Sequence, residues 1–213
     1  TPAFNGMVEG KVPGEAGYTF AGWFTSATGG TQITENTTMP INGATYYAHW
    51  NLHPYTLTIN PNGGRWNGNT DIQYVKGDYG INVEISDPEA PIGYLVTFDG
   101  NKGTSEQASI TSNKVFAGWT EDGPGSLNGT TYTFGAGDGT LTARYENGEI
   151  TLPNATREGY TFNGWYTATS EGTLIGKAGE KYTPSENTTL YAQWTVNSYT
   201  LTVDPNGGKW NNN

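Results

Sequence analysis

Cysteine, long apolar runs and an excess of basic charge are all missing from this chain of 213 residues. Without cysteine the chain has no disulfide, no zinc–thiolate site and no thiol nucleophile. No apolar run approaches the roughly 18 residues that a membrane-spanning helix needs, so we expect no membrane insertion. The formal net charge of −10 argues against nucleic acid as a partner, because nucleic acid is bound by basic surfaces.

Helical patterns are also scarce, whereas the residues of strands and turns are abundant. Hydrophobic residues make up only 34% of the chain, yet aromatic residues reach 13% and there are 31 glycines. Disordered chains lack such rings, and no sustained 3.6-residue apolar period marks a helix. The composition therefore predicts an all-β or β-rich α+β fold, made of several small modules of short strands and tight turns, each with a core of a few rings.

Two aromatic motifs recur along the chain, which is the signature of a repeat protein. The first reads GYTFAGW at 17–23 and GYTFNGW at 159–165, with a shorter copy, VFAGW, at 115–119. About 30 residues after each copy comes a closing motif with the character of a strand. The closing motifs are TYYAHW at 45–50, LTARY at 141–145 and TLYAQW at 189–194.

A third motif fixes the length of the repeat. It reads YTLTINPNGG from Tyr55 and YTLTVDPNGG from Tyr199, and these tyrosines stand 144 positions apart, as do Trp50 and Trp194. Rings and aliphatic residues alternate with threonine, as in a half-buried strand. Asn-Gly-Gly then supplies the positive-φ positions of a tight turn.

The spacing predicts four segments in an elongated array. They are a repeat module at 1–52, a longer divergent module at 53–147 with a candidate insertion at 66–93, a compact module at 148–195, and the first strand and turn of a further unit at 196–213. Because the pattern begins and ends inside a unit, we expect a segment of a longer protein.

The compact segment GYTFNGWYTATSEGTLIGKAGEKYTPSENTTLYAQW resembles the Listeria–Bacteroides repeat family, also called the internalin B-repeat type. The resemblance is good over 159–194 and 17–50, loose over 94–145 and poor over 66–93. It implies small β-grasp-like modules strung in tandem on bacterial surface proteins, with roles in adhesion or spacing. It provides no catalytic residue that could be carried over to this chain.

The seven tryptophans divide into two groups. Trp165 recurs at the positions of Trp23 and Trp119, and Trp194 at that of Trp50. Repetition at a fixed structural position favours core packing for these five. Trp66 and Trp210 instead follow the Asn-Gly-Gly turns, beside a cation and asparagines, which is typical of an exposed carbohydrate-stacking ring. A ring folded back over the sheet edge is the simpler alternative for both.

The geometry of the GYTFNGW motif predicts an irregular strand. Tyr160, Phe162 and Trp165 cannot all lie on one face of a flat strand. A turn or bulge at Gly164 would reorient the tryptophan, because glycine tolerates that backbone.

Few other residues suggest chemistry. Glu121, Asp122 and Asp138 lack the regular ligand spacing of a dedicated calcium loop and are interpreted as polar turns. Lys114 is the one lysine considered for an isopeptide crosslink. His49 takes the place of Gln193 in the matching motif, which predicts a solvent-facing polar position and not a catalytic base.

Together these features predict a monomeric, non-catalytic repeat region without cofactor or metal, extracellular at a bacterial cell surface, either cell-wall anchored or secreted. It would act as a stalk, spacer or adhesin. Its partners would be neighbouring repeats and, as candidates, a host molecule or a polysaccharide. The alternative is a carbohydrate-binding module that uses Trp66 and Trp210.

Overall fold

The computed structural model describes residues 14–38 and 40–209, and these residues form strands, turns and loops without a helix. The all-β prediction is confirmed, while the β-grasp-like arrangement and the elongated array remain predictions. The strands of the described residues are β1 (Tyr18–Phe24), β2 (Tyr47–Leu52), β3 (Tyr55–Asn60), β4 (Gln73–Gly77), β5 (Asn82–Glu84), β6 (Ile92–Asp99), β7 (Thr104–Ser105), β8 (Ser109–Asp122), β9 (Ser126–Asn128), β10 (Thr131–Thr133), β11 (Gly139–Asn147), β12 (Ile150–Thr151), β13 (Ala155–Thr156), β14 (Tyr160–Tyr166), β15 (Leu174–Gly176), β16 (Lys181–Tyr182) and β17 (Thr188–Val196).

The chain folds into two compact units, each built from two separate stretches. Unit 1 comprises the described residues up to Pro91 together with Phe116–Glu146. Unit 2 comprises Ile92–Val115 together with the described residues from Asn147 onward. Strand β8 passes from one unit to the other between Val115 and Phe116. The boundaries of the sequence modules given above remain predictions.

Unit 2 is organised around the closing strand β17. Strands β15, β14, β17, β6 and the first half of β8 are neighbours in that order. Strand β17 is antiparallel to β14 and parallel to β6, with Leu190 opposite Phe98. Two small pairs, β12 with β16 and β13 with β7, complete the unit.

Unit 1 repeats this arrangement around the closing strand β11. The second half of β8, then β11, β3 and β4, are neighbours in that order. Strand β3 is parallel to β11, with Ile59 opposite Leu141. A sheet of β5, β10 and β9 and the hairpin-like pair β1–β2 also belong to this unit.

The pairs β1–β2 and β14–β17 have the same register. Phe20 is opposite Trp50 as Phe162 is opposite Trp194, and each register then shifts at the following glycine. Gly164 has a φ of 137°, a backbone conformation that residues with a Cβ rarely adopt. The bulge predicted at Gly164 is confirmed, and the shared pairing confirms that the two motifs are structural copies.

Each unit encloses its own core, built from the alternate residues of its strands that face inward. The buried residues of unit 2 are Val96, Phe98, Ile150, Leu152, Ala155, Trp165, Leu190 and Ala192. Those of unit 1 are Leu57, Ile59, Trp66, Ile85, Tyr132, Phe134 and Leu141. The prediction that Trp165 lies in the core is confirmed, since the side chain has no exposed surface.

Candidate functional site

Trp66 does not present its ring to solvent. The residue is only 6% exposed, and its indole N–H donates a hydrogen bond of 3.0 Å to the carbonyl of Ser86. Backbone hydrogen bonds in both directions between Trp66 and Asn69 fold the loop back over the core. The expectation of an exposed ring is wrong, because the segment after the turn supplies both a carbonyl acceptor and apolar cover. A ring enclosed in this way offers no face for stacking on a sugar.

Trp210, the other candidate for carbohydrate stacking, lies outside the described residues. The turn that precedes it is described. Asn206 and Gly207 both have positive φ, and the Gly208 N–H donates to the Pro205 carbonyl over 2.8 Å. The tight turn predicted from the Asn-Gly-Gly sequence is therefore confirmed.

Two of the three acidic residues considered for calcium, Glu121 and Asp138, have structural partners. The carboxylate of Glu121 accepts a hydrogen bond from the Leu127 N–H, and that of Asp138 accepts one from the Thr56 N–H, each at 2.7 Å. Both carboxylates thus satisfy backbone donors of strand ends. The described part of the chain contains no group of three or more His, Asp or Glu residues placed to hold a metal ion.

Lys114 and His49 also contact neighbouring residues. The Lys114 ammonium lies 5.6 Å from the centre of the Tyr94 ring, within the range of a cation–π contact. The His49 ring stacks on Phe24 at 3.9 Å, and its Nε2 lies 2.9 Å from the Ser26 carbonyl oxygen. His49 is half-buried, so the expectation of a solvent-facing side chain is wrong.

One contact recurs in both units and was not foreseen from the sequence. It joins the ten-residue strand and turn that opens a unit, which we call the leading segment, to the closing strand. The leading segments are Tyr55–Gly64 in unit 1 and Tyr94–Gly103 in unit 2.

In unit 1 the turn of the leading segment is hydrogen-bonded to the closing strand β11. The side-chain amide of Asn62 donates to the Ala143 carbonyl over 2.9 Å, and the Tyr145 hydroxyl donates to the Pro61 carbonyl over 2.8 Å. Burial raises the pKa of Tyr145, since the phenolate is disfavoured away from water. A side chain at Gly64 would collide with the Tyr145 hydroxyl.

In unit 2 the same roles are filled by equivalent residues. The amide of Asn101 donates to the Ala192 carbonyl over 2.9 Å, and the Trp194 indole N–H donates to the Gly100 carbonyl over 3.1 Å. A side chain at Gly103 would collide with the Trp194 ring. A signal for this contact was present in the sequence, because asparagine stands two positions before the last glycine of both leading segments.

The third closing strand, β2, has an open surface where this contact would lie. A depression of about 360 Å³ is lined by Glu15, Tyr18 and Trp50. Trp50 touches the Phe20 ring, but within residues 14–38 and 40–209 its indole N–H has no hydrogen-bond acceptor. Tyr18 is 40% exposed. Among the described residues, this surface combines two aromatic faces, one indole donor and one carboxylate.

The equivalent surface of unit 2 is covered on two sides. The Arg157 guanidinium lies 3.6 Å from the centre of the Tyr160 ring. In the first motif the residue equivalent to Arg157 is Glu15, which lines the depression together with Tyr18. The turn of the leading segment covers Trp194. Chemically, the open surface around Trp50 can pack apolar groups and donate one hydrogen bond, so it is suited to binding a strand or turn.

Comparison with known sequences shows the family to which the chain belongs. The profile of the Listeria-Bacteroides repeat domain matches residues 7–49 and 128–193, which together make up just over half of the chain. Internalin H of Listeria monocytogenes is 56% identical over 59 residues, or 28% of this chain and 10% of internalin H.

Two proteins of Evansella cellulosilytica are similar over most of the chain. One, named "Putative Gly-rich membrane protein", is 28% identical over 210 residues, covering 90% of this chain and 22% of its own length. The other, named "Putative membrane protein", is 28% identical over 221 residues, covering 95% and 30%. The chain thus spans less than a third of the length of these relatives. No solved structure matches it.

Proposed function

The chain belongs to the Listeria–Bacteroides repeat family, and on that basis we propose that it is a non-catalytic repeat region of a bacterial surface protein. In this role it is a spacer that holds a distal part of the protein away from the cell. The location is extracellular, either anchored to the cell wall or secreted. Internalin H and the two proteins named as membrane proteins support a role at the envelope.

The observation that carries the proposal is the reuse of one contact. In both units a leading segment is hydrogen-bonded to a closing strand. The asparagine amide of the leading segment donates to the closing strand, and an aromatic residue of the closing strand donates to the leading turn. Repeats built on one such contact extend a protein by repetition, because each unit brings its own core and couples mainly to its neighbours.

Composition supports the same role. The net charge of −10 keeps an extended surface soluble through mutual repulsion. Among the described residues, the acidic group with a shifted pKa is Glu84, whose pKa is lowered by hydrogen bonds from the hydroxyls of Thr130 and Thr131. That carboxylate is stabilised in its ionised form, the opposite of what a general acid at neutral pH requires.

The location is tested on the bacterium that carries the gene. Antibodies raised against the purified chain should label intact cells as strongly as permeabilised ones. Labelling that requires permeabilisation would contradict the proposed location.

The spacer role is tested by changing the number of repeats. Deleting one 144-residue period from the parent protein should reduce antibody access to an epitope tag placed at its distal end. Unchanged access after the deletion would contradict the spacer role.

Adhesion and catalysis are separate outcomes for the purified chain. Retardation in gels containing a polysaccharide would replace the spacer with a carbohydrate-binding adhesin. Hydrolysis of a polysaccharide or peptide that is abolished by one carboxylate substitution would contradict the non-catalytic assignment.

A further inference from the structure

In each unit the parallel pair of leading and closing strands is held at both ends by side chains. At the turn end these are the asparagine and aromatic donors described above. At the opposite end an acceptor side chain stands directly before the closing strand. Asn187 accepts a hydrogen bond of 2.8 Å from the Leu95 N–H in unit 2, and Asp138 accepts one of 2.7 Å from the Thr56 N–H in unit 1. Both units therefore hold the same two strands together at the same two places.

Between these ends the two strands are paired along their length. Val96–Asp99 pairs in parallel with Thr188–Tyr191 in unit 2, and Leu57–Asn60 pairs in parallel with Gly139–Thr142 in unit 1. Because both strands of a parallel pair run in the same direction, the first residue of the leading strand and the last residue of the closing strand lie at opposite ends of the pair.

The chain enters and leaves each unit at these opposite ends. Unit 2 begins at Ile92, the first residue of β6, and the chain continues beyond Val196, the last residue of β17. In unit 1, β3 begins at Tyr55, and the chain passes to unit 2 after Glu146 of β11. Tension along the chain therefore pulls the two strands past each other along their length. All the bonds between them then carry the load together.

We propose that the parallel pair of each unit is a mechanical clamp, which lets the chain bear tension without unfolding. The inference rests on the proposed spacer role, since a spacer between a cell and a distal part of a protein is pulled at both ends. A pair that is peeled from one end loses one bond after another, whereas a sheared pair must lose several bonds in one step. Because the unfolding barrier governs forced unfolding, the direction of pulling decides how long a unit remains folded under tension.

The antiparallel pair β14–β17 offers no such resistance. Tyr160 lies opposite Val196, so force applied at these neighbouring ends would open that pair one bond at a time. Tyr160 lies inside unit 2 and is not the point where the chain enters it. The fold thus places the parallel pair, and not the antiparallel one, between the points where the chain enters and leaves.

Single-molecule pulling on the whole chain tests the clamp by changing only the direction of the force. The sequence has no cysteine, so two introduced cysteines are a unique pair of attachment points. Ile92→Cys with Val196→Cys pulls β6 and β17 in shear, and Ile92→Cys with Glu186→Cys peels the same two strands apart from one end. These positions are exposed, so both double variants should keep the wild-type melting curve.

The expected result is a difference in lifetime between the two directions. Under the same constant tension the sheared unit should remain folded at least about tenfold longer than the peeled one, because several bonds, each worth about fivefold, must break together. Equal lifetimes would overturn the proposal. Failure of the spacer role would instead appear as unchanged tag access after deletion of a repeat, and it would leave the two lifetimes as they are.

Two further variants test which bonds carry the load. Trp194→Phe keeps an aromatic ring but removes the indole donor to the Gly100 carbonyl, at the end of the pair that opens last when it is peeled. It should shorten the sheared lifetime about fivefold and leave the peeled lifetime unchanged. Asn187→Ala removes the acceptor at the end that opens first, so it should shorten both lifetimes. If Trp194→Phe shortened both lifetimes by the same factor, the indole would stabilise the unit without carrying load, and the proposal would be overturned.

Discussion

The pairs β1–β2 and β14–β17 share motifs, register and bulge, yet they are buried to different degrees. Trp165 and Ala192 are fully buried in unit 2, whereas the equivalent Trp23 and Ala48 are half-buried. One difference lies on the other side of the closing strand. Strand β17 is covered by β6 and its turn, while β2 has no such neighbour among the described residues.

This comparison separates what the motif encodes from what the rest of the chain adds. The GYTF motif and its closing strand are close in sequence and determine their own register. Burial requires a leading segment about 90 residues before the closing strand, as the bond from Asn101 to Ala192 illustrates. The core of unit 2 is therefore completed by a contact of long sequence separation.

The largest expected effect comes from removing the equivalent tryptophans. Trp165→Ala should destabilise unit 2 by about 3–5 kcal/mol, through lost transfer energy and the cavity left behind. Trp23→Ala should cost about 1–2 kcal/mol, because the ring is already partly in water. Urea unfolding followed by NMR signals assigned to each unit measures both free energies. Equal losses would mean that the leading segment adds little to the burial of Trp165.

A smaller effect is expected from the asparagine of the leading turn. Asn101→Gly keeps the positive φ but removes the amide bonds to the Ala192 and Thr169 carbonyls, so unit 2 should lose about 2 kcal/mol. Asn206→Gly is the matched control in dilute solution, since its amide has no partner in the described residues. The same unfolding experiment applies, and a comparable loss at Asn206 would show that this residue acts within its own turn.

The smallest effect is expected at Trp119, in a comparison of the indole N–H groups of two of the three GW motifs. The Trp165 indole donates to the Pro153 carbonyl at 2.7 Å, whereas the buried Trp119 indole N–H has no partner among the described residues. Trp165→Phe should cost about 1–3 kcal/mol, because it leaves the buried carbonyl unpaired. Trp119→Phe should change stability by less than about 0.5 kcal/mol, because no hydrogen bond is lost and an unpaired polar group is removed. A large loss from Trp119→Phe would reveal an acceptor for its N–H.

Local features of the fold were predictable from the sequence. The bulge at Gly164 follows from the spacing of Phe162 and Trp165, and the core position of Trp165 follows from its recurrence. Both depend on residues that are close in the chain, where alternation and turn chemistry apply directly.

Features that depend on distant segments were not predictable in the same way. The burial of Trp66 could not be predicted, because its hydrogen-bond acceptor Ser86 lies 20 residues away. Ser86 belongs to the segment that resembles the family least. The division of each unit between two stretches depends on parallel pairs such as β6 with β17, and motif spacing carries no information about which leading segment pairs with which closing strand.

A leading segment, and not the aromatic motif alone, gives a closing strand its stability. Native-state hydrogen exchange of the chain in dilute solution tests this statement. The backbone amides of β17 around Ala192 should exchange at least about a hundredfold more slowly than those of β2 around Ala48, since local opening of β2 breaks fewer contacts. Equal protection of the two strands would contradict the account.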